Sequence, residues 1–316
     1  MVFTVVALAL GAALLAYSAD QFVLGAARVA LIRRWSPLVV GVVIIGFGTS
    51  APELLVSAIA AGSGDAEVAV GNIVGSNIAN LSLLLGVGAI IVPISVASST
   101  VKREAPIAVG AMVAIAAALQ GGIQIWEGVL LLVALGAALW FITTSGSAGG
   151  SAADPLGVET VELADPSTHS MGREVVRTIL GLVGTVAGAQ LLLTGALDLA
   201  DRAGLEEGFV GATLVAIGTS LPELVTVVQS ARRRETDLIV GNLLGSNLFN
   251  ALGVGGLIGL IGASDLDDRG LTVIGAGAAI VIALLALVAM MTRKTVGRAE
   301  GIGLVVVYAA LVPFLA

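Results

Sequence analysis

Gly48-Thr49-Ser50-Ala51-Pro52-Glu53 recurs in this chain as Gly218-Thr219-Ser220-Leu221-Pro222-Glu223. Downstream of each copy comes a second motif. The first is Gly71-Asn72-Ile73-Val74-Gly75-Ser76-Asn77-Ile78-Ala79-Asn80, and the other is Gly241-Asn242-Leu243-Leu244-Gly245-Ser246-Asn247-Leu248-Phe249-Asn250. Glu53 and Glu223 are 170 positions apart, and so are Asn80 and Asn250. A register kept over both motifs marks a duplicated unit whose two copies share one task. Packing alone would preserve small and apolar positions, but it would not need Glu and Asn in step.

The surroundings of these motifs decide the class. The 316 residues are 57% hydrophobic and 12% charged, with a mean hydropathy of +1.06. A soluble chain carries about 25% charged residues, so this one cannot cover a water-facing surface. An all-α polytopic protein of the cell membrane is expected, with the lipid bilayer as its main partner and no nucleic-acid surface. Cysteine is absent, which excludes disulfides and thiolate metal sites. No Lys or Arg precedes the first apolar stretch, the first being Arg28. A signal peptide needs its positive region first, so a retained first helix is expected.

A hydrocarbon core takes about 20 apolar residues to cross. Apolar runs predict helices near 2–28, 37–61, 67–92, 106–119 and 125–143. After a polar interval, others follow near 175–199, 208–231, 238–261, 271–291 and 302–315. With ten helices and an outside N-terminus, the odd-numbered loops are cytoplasmic and hold 13 of the 15 Lys and Arg residues. Only Arg202 and Arg269 fall on the other side. Lys/Arg bias is the strongest topology signal in a sequence, and it supports both the count and the orientation. Five helices per copy is an odd number, so the second copy enters the membrane inverted. The units read as a first repeat, 1–143, an acidic cytoplasmic linker, 144–171, and a second, inverted repeat, 172–316. Such repeats recur in secondary transporters, with the site near the midplane between them.

Pro52 and Pro222 lack a backbone N–H and disturb the turn before them, while Gly48 and Gly218 loosen it. Freed carbonyls at this depth must face a cavity or an ion. A Glu at the centre of a membrane helix costs at least about 2.5 kcal/mol, and neither central segment holds a Lys or Arg. A proton or a cation from solution has to compensate Glu53 and Glu223. Carboxylates, hydroxyls, amides and carbonyls are hard donors, which select calcium, sodium or magnesium. Two carboxylates balance one divalent ion, and a flexible set of neutral oxygens suits Ca²⁺ better than Mg²⁺. Several Na⁺ ions can share the same oxygens instead. A site that holds one set or the other, but not both, is the basis of an antiporter. Gly71, Gly75, Gly241 and Gly245 also read as small-xxx-small helix contacts. The added polar positions make Ser76, Asn80, Ser246 and Asn250 ion-lining candidates. Asn72, Asn77, Asn242 and Asn247 are expected to tie the broken helices to their neighbours.

The doubled GTS-x-PE and GNxxGSNxxN signature resembles the sodium/calcium exchanger group of the cation/calcium antiporter superfamily, of the prokaryotic type without a large regulatory domain. The resemblance implies four ion-binding helices crossed by two long, tilted ones, the first and sixth, which slide to switch access. It implies a calcium site of Glu53 and Glu223 with Thr49 and Thr219. It also implies sodium sites that add Ser50, Ser76, Asn80, Ser220, Ser246, Asn250 and the backbone carbonyl near Ala216. Ca²⁺ and Na⁺ are then transported substrates, with no cofactor, and a monomer is the expected form. Some members carry Asp at one of the positions of Asn80 and Asn250. This chain has Asn at both, leaving two carboxylates rather than three.

Alternatives remain open at this level. Coupling to H⁺, or added K⁺, would use the same site, and a cation channel belongs to a different class. A channel builds its filter around an axis of symmetry, and no filter-like carbonyl loop is evident. An enzyme is not expected, because one His and no Cys leave little to build it from. Asp20 reads as a structural residue in contact with Arg28, and Gln190 takes the corresponding position in the second copy. His169, with Asp154, Glu159, Glu162 and Asp165, reads as part of a flexible, solvated linker.

Overall fold

Helices are the form in which an apolar segment satisfies its backbone without water, and the computed structural model is built of them. It describes residues 2–33, 35, 37–62, 64, 66–96, 102–146, 170–202, 216–261 and 270–315. The linker residues 147–169, His169 and the linker carboxylates among them, lie outside the described residues. So do 208–215, the start of the seventh apolar run.

Two helices are much longer than the rest. α1 (Val2–Arg33) and α7 (Met171–Arg202) each have 32 residues, so each extends about 48 Å at 1.5 Å per residue. That exceeds the roughly 30 Å of hydrocarbon, and both overrun their predicted ends. They pack antiparallel on a glycine-lined seam. A Cβ added at Gly181 would lie 2.5 Å from the Phe22 backbone nitrogen, and one at Gly188 would lie 2.6 Å from that of Leu15. Only glycine lets the backbones approach this closely. Polar contacts pin the seam near its ends. The Thr4 hydroxyl donates to Asp198 at one end. Arg28 Nη1 pairs with Glu174 Oε1 at 3.4 Å at the other. Asp20 does not contact Arg28 as expected, but pairs with Arg233 at 2.5 Å. Eight residues along one helix separate two side chains by about 12 Å, so partners across a helix interface win.

The paired motifs break two helices in the same way. α2 (Gly41–Thr49) and α3 (Ala51–Gly62) meet at 47°. Between them Ser50 takes φ −79°, ψ 6°. In the second copy Ser220 takes φ −87°, ψ 8° between α8 (Ala216–Thr219) and α9 (Leu221–Arg232). Pro52 and Pro222 cannot donate to the carbonyls of Gly48 and Gly218, so each helix opens at that point. The following turns also match. Gly64 (φ 91°) and, 170 positions later, Arg234 (φ 58°) are both left-handed.

After those turns come α4 (Ala66–Ile91) and α10 (Thr236–Ile261), the most deeply buried of the spans among the described residues. Each contains a π-helical turn, Asn80–Leu84 and Phe249–Val254. Such turns are rare and are often found at functional sites. α10 packs on α2 through the expected glycines. A Cβ at Gly245 would lie 2.5 Å from the Val42 carbonyl oxygen, and one at Gly41 would lie 2.9 Å from Gly241 Cα. In the first copy, a Cβ added at Gly75 would meet nothing within 4 Å among the described residues.

The remaining helices enclose this centre: α5 (Glu104–Gly121), α6 (Ile125–Gly146), α11 (Ala276–Arg293) and α12 (Arg298–Leu315). α6 is largely exposed and presents its apolar flank outward. A short antiparallel pair, β1 (Ile94–Ser95) and β2 (Thr295–Val296), ties the segment after α4 to the one after α11. Among the described residues, seven helices are long and apolar enough to span a membrane, or eight if the bent pair α2–α3 counts as one. The protein is a multi-pass membrane protein.

The glycine seam gives a direct test. Gly181→Leu forces the α1 and α7 backbones apart, because the nearest atoms belong to backbone. A thermal unfolding midpoint well below wild type in detergent is expected, since overpacking costs about 1–3 kcal/mol. An unchanged midpoint would show that the seam is looser than described.

Candidate functional site

Each broken helix delivers a carboxylate to the centre, and hydroxyls from the opposite break hold it. Ser220 Oγ donates to Glu53 Oε1 at 3.0 Å, and Ser50 Oγ donates to Glu223 Oε1 at 3.2 Å. The bond runs both ways between the two copies. Glu53 and Glu223 are 1% and 0% exposed. The Oε2 atom of each accepts no hydrogen bond. None of the ion pairs among the described residues involves either Glu. A buried carboxylate with an open oxygen and no basic neighbour is suited to a cation.

The amides form a second layer of crossed bonds. Thr219 Oγ1 donates to Asn72 Oδ1 at 3.2 Å, and Thr49 Oγ1 donates to Asn242 Oδ1 at 3.2 Å. Each Asn then spends its N–H groups on its own copy. Asn72 donates to the Glu53 carbonyl at 3.2 Å and to Ser57 Oγ at 3.0 Å. Asn242 donates to Thr226 Oγ1 at 2.9 Å, and Thr226 in turn donates to the Glu223 carbonyl at 2.8 Å. So Asn72 and Asn242 do tie the broken helices to their neighbours. Ser57 and Thr226 complete this layer and were missed in the sequence. They sit four and three residues beyond Glu53 and Glu223, helix spacings that share a face.

The other expected residues gather in the same place. Ser76 Oγ lies 3.3 Å from Ser220 Oγ. Ser246 Oγ lies 3.4 Å from Thr49 Oγ1 and donates to the Gly46 carbonyl at 3.2 Å. Asn80 and Asn250, 1% and 0% exposed, lie one turn further along α4 and α10. The Oδ1 atoms of both, and Nδ2 of Asn250, lack a hydrogen-bond partner. Ala216 opens the short helix α8, so its backbone starts the second break. No group of three or more His, Cys, Asp or Glu that could hold a metal occurs among the described residues. The centre therefore offers two carboxylates among neutral oxygens, a donor set that suits a hard cation.

Removing a link in the amide layer tests its role in holding the breaks. Asn242→Ala deletes the bonds to Thr226 and Thr49, and a buried unsatisfied group costs about 1–3 kcal/mol. A lower unfolding midpoint in cation-free buffer is expected. A midpoint equal to wild type would mean that the crossed bonds do not hold the centre together.

The chain as a whole is similar to proteins of one family. The profile of the family described as "Sodium/calcium exchanger protein" matches residues 3–144 and 174–316. The putative antiporter CaxA of Alkalimonas amylolytica is 39% identical over 262 residues, covering 81% of this chain and 80% of that protein. The sodium/calcium exchanger MaX1 of Methanosarcina acetivorans is 27% identical over 342 residues, with 98% and 97% covered. Solved structures of the sodium-calcium exchanger NCX_Mj superpose with a TM-score of 0.86 at 29% identity, spanning 99% of this chain and 98% of that one.

Proposed function

Because this chain belongs to the sodium/calcium exchanger protein family, whose members are cation/Ca²⁺ antiporters, we propose that it exchanges Ca²⁺ for Na⁺ by alternating access at a site between Glu53 and Glu223. The observation that carries this reading is the crossed pair of bonds that fixes one oxygen of each Glu and leaves the other open. One Ca²⁺ between the open oxygens neutralises both carboxylates, with Thr49 and Thr219 beside it. Na⁺ ions instead use the Glu oxygens with Ser50, Ser76, Asn80, Ser220, Ser246, Asn250 and the backbone carbonyl of Ala216. The two sets share ligands, so they exclude each other.

The same electrostatics couples the fluxes. Two buried carboxylates without counter-charge cost about several kcal/mol each. Reorientation of the empty site is therefore unfavourable, and only a loaded site crosses. That is exchange rather than leak.

The architecture proposed with this mechanism is ten membrane helices in two inverted repeats, 1–143 and 172–316, joined by a cytoplasmic linker, with the N-terminus outside. Two separate family matches, 3–144 and 174–316, support the division. The matched breaks at Ser50 and Ser220 and the matched left-handed turns at Gly64 and Arg234 support the duplication. α1 and α7 move as one body across the centre, their common seam kept intact. The transported ions enter as substrates, and a single chain suffices.

Glu53→Gln or Glu223→Gln is expected to abolish Ca²⁺ uptake into reconstituted vesicles, because one carboxylate cannot balance a divalent ion. Uptake at the wild-type rate in either variant would overturn the site. In the same vesicles an outward Na⁺ gradient should drive Ca²⁺ accumulation, and a pH gradient should not. Accumulation driven by pH alone would replace Na⁺ with H⁺ as the coupling ion. Ca²⁺ flux indifferent to both gradients would indicate a channel.

A further inference from the structure

The two Asn side chains that end the second motif are not equivalent in the structure, although the sequence spells them alike. Asn80 Nδ2 donates to Asn247 Oδ1 at 2.9 Å, and Asn247 Nδ2 donates to the Asn77 carbonyl at 3.4 Å. All three residues are buried, at 1%, 0% and 2% exposure for Asn80, Asn247 and Asn77. If the repeats were symmetric here, Asn250 would donate to Asn77 Oδ1. Instead Asn77 Oδ1 and both polar atoms of Asn250 are buried without a partner.

The direction of this chain of bonds follows from its end. A backbone carbonyl only accepts, so the Asn77 carbonyl must face the NH₂ of Asn247. Asn247 Oδ1 then points the other way and requires a donor, which makes Asn80 turn its own NH₂ toward it. Asn80 is left with Oδ1 as its free end, and that oxygen is buried and unpartnered. An amide with its oxygen free is a cation ligand. One with its NH₂ free repels a cation.

We propose that Asn247 is a positioning residue that sets the polarity of the Asn80 amide across the interface between the two copies, holding its oxygen ready for Na⁺. This deepens the assignment of Asn80 as a sodium ligand and rests on it. Asn250 has no such relay. No hydrogen bond fixes its amide, so Asn80 forms a preset half of the sodium site and Asn250 an adaptable half. Preset ligands bind more tightly, because no reorientation is lost on binding.

The test is a double-mutant cycle read in the Na⁺ dependence of Ca²⁺ exchange in reconstituted vesicles. Asn80→Ala should raise the Na⁺ concentration for half-maximal exchange. Asn247→Ala should raise it about fivefold, the worth of one oriented hydrogen bond, yet add nothing in an Asn80→Ala background. A general structural defect would instead add to the Asn80→Ala effect. Asn247→Ser, a milder change that keeps a small polar group, should show the same lack of additivity. Additive shifts, or a shift for Asn80→Ala with none for Asn247→Ala, would overturn the relay and leave the sodium site standing. No shift for Asn80→Ala would remove Asn80 from the sodium site and the relay with it.

Discussion

The rest of the molecule depends on two carboxylates, Glu53 and Glu223, buried within a membrane protein with no basic side chain paired to either among the described residues. Burying a charge without compensation is costly, and hydrophobic replacements would be more stable. A fold that keeps both carboxylates and leaves an oxygen of each open is built around a charge it does not itself contain. In the proposed function that charge is the cargo. One physical constraint then accounts for the choice of ion and for the obligatory exchange.

The scaffold holds this arrangement by interlocking its two copies. Each helix break contributes a Glu to its own side and a Ser to the other, and each Thr reaches the Asn of the opposite copy. Neither half can build the centre alone. The long helices α1 and α7 stand apart from this network. They are held to each other along glycines and to the centre at points such as Asp20–Arg233 and the contact of Leu182 with Gly48. In the proposed function, this division into a tightly bonded core and a separately sealed pair lets α1 and α7 shift against the site.

Much of this was legible in the sequence because the repeat is written in polar residues, where lipid leaves few reasons to place them. Hydropathy located the spans, and the Pro and Gly of GTS-x-PE located the breaks. The Glu, Ser and Thr of the motifs do converge. Less was legible where the partner lies on another helix. Asp20 pairs with Arg233 rather than Arg28, because helix spacing speaks only for neighbours within about a turn. Ser57 and Thr226 carry no motif of their own. They stand one position out of the 170-residue register, so the repeat did not point to them. The inequality of Asn80 and Asn250 cannot be read from letters that are identical. It arises from which amide meets the Asn77 carbonyl.

Equilibrium Ca²⁺ binding to the purified protein in detergent, titrated against Na⁺, tests the shared site most directly. The expected result is one Ca²⁺ per chain, displaced steeply and completely by Na⁺, with binding lost in Glu53→Gln. Ca²⁺ binding that Na⁺ leaves untouched would contradict a common site, as would binding that survives without the Glu53 carboxylate.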